Sequence, residues 1–379
     1  MELIQRSIEA KITDKLFKGK AIVIYGARQT GKTYLVKKIV DRLKQPAVWF
    51  NADEYDVAGM LANKTSVQLN SLFGNRKIVI IDEAQRIENI GITLKLIVDQ
   101  LKEYQVIATG SSSFDLANKI NEPLTGRKWL FQLFPLTFEE LAGHYGLPEE
   151  LRMLEQRLIY GSYPEIVTSR NKEEVLKLLA SDYLYKDILS FDSIKKSDKI
   201  YSLLKALALQ TGSPVSYAEL SGLTSMDIKT VQKYIDILEQ AFIIFRLAAY
   251  RKNIRTELKK SRKIYFWDNG LRNAIIGNFD PLDKRTDIGQ LWENYIVSER
   301  HKYLSYHNSN TKIYFWRTTQ NQEIDLIEES SQELLAVEIK WNPRRKKLFS
   351  KTFTGNYPDA KLSIITKDNY VNYISHFEY

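Results

Sequence analysis

The sequence predicts an α/β protein of more than one domain, and three observations carry that expectation. An apolar β-branched segment, Ala21 to Tyr25, runs through Gly26-x-x-x-x-Gly31-Lys32-Thr33 into a segment with apolar Leu35, Val36, Ile39 and Val40, which is strand, glycine-rich loop and helix in order. The middle of the chain, "SPVSYAELSGLTSMDIKTVQKYIDILEQAFIIFRLAAY", has the form of two capped helices followed by a hairpin. The last third interleaves short strands with helices and sets Asp325, Glu338 and Lys340 on two strands joined by a polar turn.

Length and composition bound what these elements can build. At 379 residues the chain exceeds one ordinary core, since domains run at roughly 100–200 residues. A hydrophobic content of 44% with 27% charged residues places it among soluble globular proteins. The absence of cysteine removes disulfides, thiolate catalysis and thiolate zinc sites. Four scattered histidines argue against a histidine-rich metal site, so any metal is expected on oxygen ligands. The longest apolar stretches, such as "KIVIID" and "AFIIF", fall short of the ~18 residues of a membrane span. The opening "MELIQRSIEAK" is too charged for a signal peptide, and the expectation is a cytoplasmic protein with no membrane partner. Six of the nine excess positive charges fall in residues 251–379. That imbalance suits a polyanionic partner such as DNA and equally serves solubility.

The glycine-rich loop asks for a phosphate. Gly26, Ala27, Arg28, Gln29, Thr30 and Gly31 would turn backbone N–H groups around phosphate oxygens, with glycines where a Cβ would obstruct the turn. Lys32 would reach the β- and γ-phosphates, Thr33 would ligate Mg²⁺, and the helix N-terminus adds its dipole to the same anion site. Downstream, "RKIVIIDEAQRI" ends a buried strand in Asp82, which would hold the Mg²⁺ of ATP through water, and Glu83, which would polarise the attacking water. A further strand ends in a hydroxyl-rich turn, where Thr109, Ser111 or Ser112 would sense the γ-phosphate, Ser111 first; each would serve as well to cap the next helix. Arg127, on a turn between helix and strand, would compensate charge on the transferred phosphoryl group.

The phosphate loop, "IIDEAQ", "TGSSS", "LTGR" and "LFPLTFEEL", in this order, resemble AAA-type ATPases of bacteria and archaea that carry a C-terminal domain with a restriction-nuclease-like core. The resemblance implies an AAA-type P-loop ATPase domain over 1–150, a helical lid over 151–195, a winged-helix-like module over 196–255 and a small restriction-endonuclease-like domain over 256–379. "GSYPE", Gly161 to Glu165, resembles the element with which the lid of such ATPases approaches the nucleotide. Subunits of such ATPases complete one another's sites with an arginine, which implies a homo-oligomer formed on ATP.

In the middle module Ser216 with Glu219 reads as a capping box, Gly222 as the turn and Ser225 as the cap of the second helix. Val231, Tyr234, Ile235 and Leu238 settle that helix's inner face. Lys229, Thr230 and Lys233 are left outside, where a DNA-reading helix would keep them and where an ordinary solvated face would too.

Beyond it, Asp268 after "KIYFWD" is expected to cap a helix, and "GQLWENYIVSERHKYL" is a helix with Glu293 near its start. Strands "KIYFWR", "EIDLIE" and "ELLAVEIKW" follow, then a basic helix from "PRRKKLFSKTF" and a last strand "KLSIIT". Alternation puts Glu338 and Lys340 on one strand face. The order resembles the restriction-endonuclease-like arrangement, which implies Mg²⁺ held by Asp325, Glu338 and Glu293, with Lys340 orienting a metal-bound water. Arg344, Arg345, Lys346 and Lys347 follow where phosphate contacts would be useful. The function expected is an ATPase whose nucleotide state controls a DNA-binding, DNA-cleaving module. The alternative is a nucleotide-gated switch that binds a protein partner and keeps the carboxylates only as a shell.

Overall fold

The computed structural model describes residues 4–111, 120, 122–182, 197–250, 262–318, 320–344 and 349–378. Two compact units divide the chain: Met1–Pro135 with Gln240–Phe242, and Leu136–Glu239 with Ile243–Tyr379.

In the first unit, Ala21–Tyr25 (β1), Ala47–Asn51 (β2), Ile78–Asp82 (β3), Gln105–Gly110 (β4) and Lys128–Gln132 (β5) form one sheet in the order β2-β3-β4-β1-β5. Every pairing is parallel. Their continuous β-branched runs are what a strand covered on both faces needs, and Ile22, Val23, Ile24, Val79, Ile80, Ile81 and Ile107 are fully buried. Lys32–Leu43 (α1) follows β1 and turns Leu35, Val36, Ile39 and Val40 inward. Ile90–Gln100 (α2) packs beside β4.

The second unit begins with Phe138–Tyr145 (α3), whose first turn is closed by a capping box between Thr137 and Glu140. Further helices lie between residues 147 and 182, and Ser197–Leu209 (α4), Pro214–Val215 (β6), Tyr217–Thr224 (α5), Ile228–Gln240 (α6), Ile244–Ala248 (β7) and Arg262–Phe266 (β8) follow them. The three strands form an antiparallel sheet in the order β6-β8-β7. α6 buries Val231, Tyr234, Ile235 and Leu238 and leaves Lys229 and Lys233 exposed. Asn269–Ile276 (α7) is capped by Asp268, whose Oδ1 accepts the Leu271 N–H at 3.0 Å. Ile288–Tyr306 (α8) precedes Lys312–Arg317 (β9), Glu323–Glu329 (β10), Leu334–Ile339 (β11) and, after Lys351–Asn356 (α9), Lys361–Ile365 (β12). These strands stand in the order β12-β11-β10-β9, with β11 and β12 parallel and the other pairs antiparallel. A core of Trp316, Ile324, Ile327, Ala336 and Phe353 fills the face under α9.

The structure departs from the sequence reading at several boundaries. Gly222 lies inside α5, and Ser225 closes that helix in a left-handed conformation (φ 51°) with its N–H on the Ser221 carbonyl. The first turn of α6 is instead held by Asp227, which accepts the Thr230 N–H at 2.9 Å and its hydroxyl at 2.6 Å. Ser216 accepts the Glu219 N–H, but the Glu219 carboxylate takes Gln210 instead of closing a box. Of the helix drawn from Pro343, the described part is Lys351–Asn356, where Ser350 accepts the Phe353 N–H. By its contacts the first compact unit ends at Pro135, and the Leu136 N–H bonds the Ser162 carbonyl within the second. A break at 255/256 would cut the sheet that joins β7 to β8.

Candidate functional site

The phosphate-binding loop closes the C-terminal end of β1. Gly26 sits at φ 149°, where an added Cβ would run into the Leu133 carbonyl, so no residue with a side chain fits. Gln29 and Gly31 are left-handed as well, at φ 56° and 90°. Lys32 Nζ donates to the carbonyls of Gly26 at 2.9 Å and Ala27 at 2.7 Å, and the Thr30 hydroxyl bonds the Ala27 carbonyl at 2.8 Å. Beneath the loop, buried Arg6 donates to the Thr30 carbonyl at 2.7 Å and to the Phe134 carbonyl at 2.6 Å. It ties the loop to the chain leaving β5. Sequence reading missed this strut, because a lone arginine in a charged N-terminal stretch carries no local signal.

Asp82 and Glu83 end β3 beside the loop. Asp82 Oδ2 accepts the Thr33 hydroxyl at 2.8 Å, and its Oδ1 accepts the Thr109 hydroxyl. Two hard oxygen donors at the start of α1 suit Mg²⁺, so Thr33 and Asp82 fit the ion that accompanies a nucleotide. Glu83 lies in the left-handed region at φ 52°. Its Oε2 accepts the Ser111 hydroxyl at 3.0 Å and the Gln85 amide, and Gln85 also reaches Ser111 at 3.1 Å. The hydroxyl candidates therefore separate: Thr109 serves Asp82, Ser111 serves Glu83, and Ser112 lies outside the described residues. Gln85 is a second residue the sequence reading passed over.

Arg127 is not part of this constellation. The register pairs Ala21 with Lys128 and Tyr25 with Gln132, so Arg127 stands at the N-terminal edge of the sheet while the loop leaves the C-terminal edge. Its guanidinium pairs with Asp99 of α2 at 2.6 Å. Strand direction alone keeps it from the phosphate end of its own chain.

"GSYPE" belongs to the second unit. There an added Cβ on Gly161 would strike the Asp268 carboxylate, and Asp268 Oδ2 accepts the Ser162 N–H at 2.7 Å. Close packing against Asp268 accounts for the glycine.

The acidic set of the last third gathers in one region of the second unit, with a partner the sequence reading did not include. Lys263, from β8, is 0% exposed and its Nζ lies 3.0 Å from Glu293 Oε1 and 2.6 Å from Glu323 Oε1. The Tyr265 hydroxyl donates to Glu293 Oε1 at 2.7 Å. On the neighbouring strands Lys340 Nζ lies 2.7 Å from Asp325 Oδ2 and 2.8 Å from Glu338 Oε2, while the Ile339 N–H donates to Asp325 at 2.8 Å. A register irregularity between Ile324 and Ile327 brackets Asp325, and such bulges re-aim a side chain.

The charges answer one another. Burial works against the Lys263 ammonium, but Glu293 and its neighbours outweigh it and keep the group protonated well above the usual lysine range. Burial raises Glu293, and the Asp325 charge adds to it while Lys263 pulls the other way. Asp325 falls below the usual range because Lys340 and Lys263 overcome its burial. Among the described residues, Glu293, Asp325 and Glu338 do not bring one oxygen each within 4.8 Å of one another. The acids stand as two lysine-bridged pairs, Glu293 with Glu323 on Lys263 and Asp325 with Glu338 on Lys340, so a metal there would have to displace or share those ammonium groups. Of the basic run that follows, Arg344 is exposed, whereas Arg345, Lys346 and Lys347 lie outside the described residues.

Comparison with known proteins agrees with the first of these sites. Residues 18–142 match the profile of an AAA domain, and residues 151–282 and 288–378 match two domains of unknown function, DUF8612 and DUF4143. An uncharacterized protein of Mycobacterium tuberculosis is 27% identical over 346 residues, 90% of this chain and 74% of that protein. An uncharacterized protein of Methanocaldococcus jannaschii is 25% identical over 384 residues, 95% of this chain and 83% of its own. The structure of a Walker-type ATPase of Pyrococcus abyssi matches 72% of this chain and 96% of its own, at 15% identity and a TM-score of 0.49. The first unit is an AAA-type P-loop ATPase domain. No described helix is long and apolar enough to cross a membrane.

Proposed function

We propose that the first unit binds MgATP and hydrolyses it, and that the second unit turns nucleotide state into binding of a protein partner without cutting DNA. The hydrolytic half rests on the meeting of Thr33, Asp82 and Glu83 beside the Gly26–Thr33 loop. Mg²⁺, when bound, would neutralise charge between the β- and γ-phosphates. Lys32 would leave the loop carbonyls for phosphate oxygens, and the loop N–H groups and the α1 N-terminus would orient the anion. Glu83 would orient the attacking water once Ser111 and Gln85 release its carboxylate. Lys32→Ala should abolish binding of a fluorescent ATP analogue. Unchanged affinity in that variant would sink this half.

One observation carries the non-cutting half: Lys263 and Lys340 occupy the carboxylates that a nuclease metal would need. A second reading, DNA contact, is favoured by Lys229 and Lys233 on the open face of α6. Binding to duplex DNA that weakens steeply with salt would support it, and cleavage with Mg²⁺ or Mn²⁺ that Asp325→Ala removes would overturn the non-cutting reading. Light scattering with and without ATP tests self-association, in which Arg127 could act only on a neighbouring copy.

A further inference from the structure

Two of the chain's four histidines meet at one carboxylate. Glu139, in the first turn of α3, is buried, while His307 closes the C-terminus of α8 and His376 follows the short helix Val371–Ile374. One ligand atom from each lies within 4.8 Å of the others, and this is the one such trio of potential metal ligands among the described residues.

The hydrogen bonds fix what each ring offers. His307 Nδ1 lies 2.9 Å from the Tyr303 carbonyl, which can only accept, so Nδ1 carries the proton. His307 Nε2 faces Glu139 Oε2 at 3.6 Å. In the neutral ring that nitrogen presents a lone pair to a carboxylate oxygen, an arrangement that gains from a cation between them. A backbone carbonyl holding the far nitrogen is also the usual way in which a ligating imidazole is oriented. On the other side Glu139 Oε1 accepts the His376 backbone N–H at 3.2 Å and meets the His376 ring at Nδ1. Stacking on Tyr303 at 4.1 Å steadies the His307 ring.

We propose that Glu139, His307 and His376 form a binding site for a borderline divalent ion of the zinc type. Two imidazoles and one carboxylate are the donor set that such ions take in preference to Mg²⁺ or Ca²⁺, and three protein ligands leave a fourth position open. Ligation through His376 Nδ1 needs the neutral ring to carry its proton on Nε2, a tautomer shift by exchange with solvent, and needs no proton from His307 Nε2. The three ligands come from segments 168 and 69 residues apart in the chain (139, 307 and 376), so the ion would fasten the segment around His376 to α3 and the end of α8. Its binding energy would then appear as stability. Cysteine is absent and the other two histidines, His144 and His301, are half-buried, so few competing soft ligands exist.

The test is Zn²⁺ titration of the nucleotide-free full chain against a chromophoric chelator, with Co²⁺ as a spectroscopic probe. One saturable equivalent is expected, weakened at least about 10-fold in His307→Gln and in His376→Gln. Zn²⁺ should raise the melting temperature of the wild type and not of these variants, which should melt with the wild type when metal-free, because both rings are at the surface. The Co²⁺ form of the wild type should give the intense visible bands of a four- or five-coordinate ion, a readout that needs no variant. No saturable equivalent, an equivalent both variants keep, or one lost instead in Asp82→Asn would overturn the proposal.

Discussion

Replacing Lys263 with methionine removes a cation that touches both Glu293 and Glu323, and keeps the apolar stem that packs in the sheet. Lys263 is wholly buried, and its Nζ is within 3.0 Å of both carboxylates. Breaking a buried pair by removing one partner costs about 3–5 kcal/mol, because the orphaned charge stays in a poor solvent. Here Arg317 still reaches Glu323 at 3.3 Å, so the loss should fall toward the lower end and come mainly from Glu293. Its pH dependence follows from signs. Burial already raises Glu293, and Lys263 pulls it down, so the variant's carboxyl binds its proton more tightly still. An acid whose folded pKa is raised is penalised above that value, and the penalty fades as pH falls through it. Urea unfolding followed by tryptophan fluorescence should therefore show a loss near 3 kcal/mol at pH 8 and a smaller one at pH 5. Lys263→Met combined with Glu293→Gln should recover most of it. A loss of about 1 kcal/mol or less, the size an exposed pair gives, would refute the reasoning, as would one equal at both pH values.

Other predictions follow from single contacts. Gly26→Ala drives a Cβ into the Leu133 carbonyl and should cost about 1–3 kcal/mol and displace the loop, seen as lost nucleotide affinity by fluorescence anisotropy; Gly59→Ala, which meets nothing within 4 Å, should leave affinity intact. Arg127→Ala should leave nucleotide affinity of the dilute protein unchanged, and a clear weakening in the same assay would return the arginine to its own chain's site. Arg285 and Arg272, outweighing burial, hold Asp287 down to about 2. A depressed carboxylate contributes stability that is complete above its ordinary value of 3.8 and is lost as pH falls through about 2. The stability gap between wild type and Asp287→Asn should be constant from pH 5 to 8 and shrink between pH 4 and 2 in urea unfolding.

What was legible in the sequence is what neighbours in the chain decide. The loop from Gly26 to Thr33 is contiguous, and its strand and helix announce themselves by unbroken burial and by helical spacing. Asp82 and Glu83 were legible because a buried strand must end where its polar residues begin. The strands from Lys312 to Ile365 were legible for the same reason. Arg127 misled because a motif gives order along the chain but not which end of a parallel sheet a turn occupies. Lys263 escaped notice because it stands 30 residues before Glu293 on a strand that reads as apolar. Ser225 lost the cap to Asp227 two positions on, a difference that propensity cannot resolve when both residues are good caps.

The kind of donor seated on each carboxylate separates the sites. Asp82 and Glu83 are held by neutral groups, the hydroxyls of Thr33, Thr109 and Ser111 and the amide of Gln85. A cation arriving there exchanges hydrogen bonds worth about 0.5–1.5 kcal/mol each for charge–charge attraction, so the site favours it. Asp325, Glu338 and Glu293 are held by ammonium groups in a buried setting. A dication arriving there must first expel Lys340, or expel the wholly buried Lys263 and leave that charge buried, which costs several kcal/mol per ion. Glu139 resembles the first case, since imidazoles can yield a proton or present a lone pair. On this reasoning the two proposed divalent sites, at Asp82 and at Glu139, are those where neutral donors hold the acid. The lysine-bridged sheet keeps the outline of a metal site with its positive charge supplied from within.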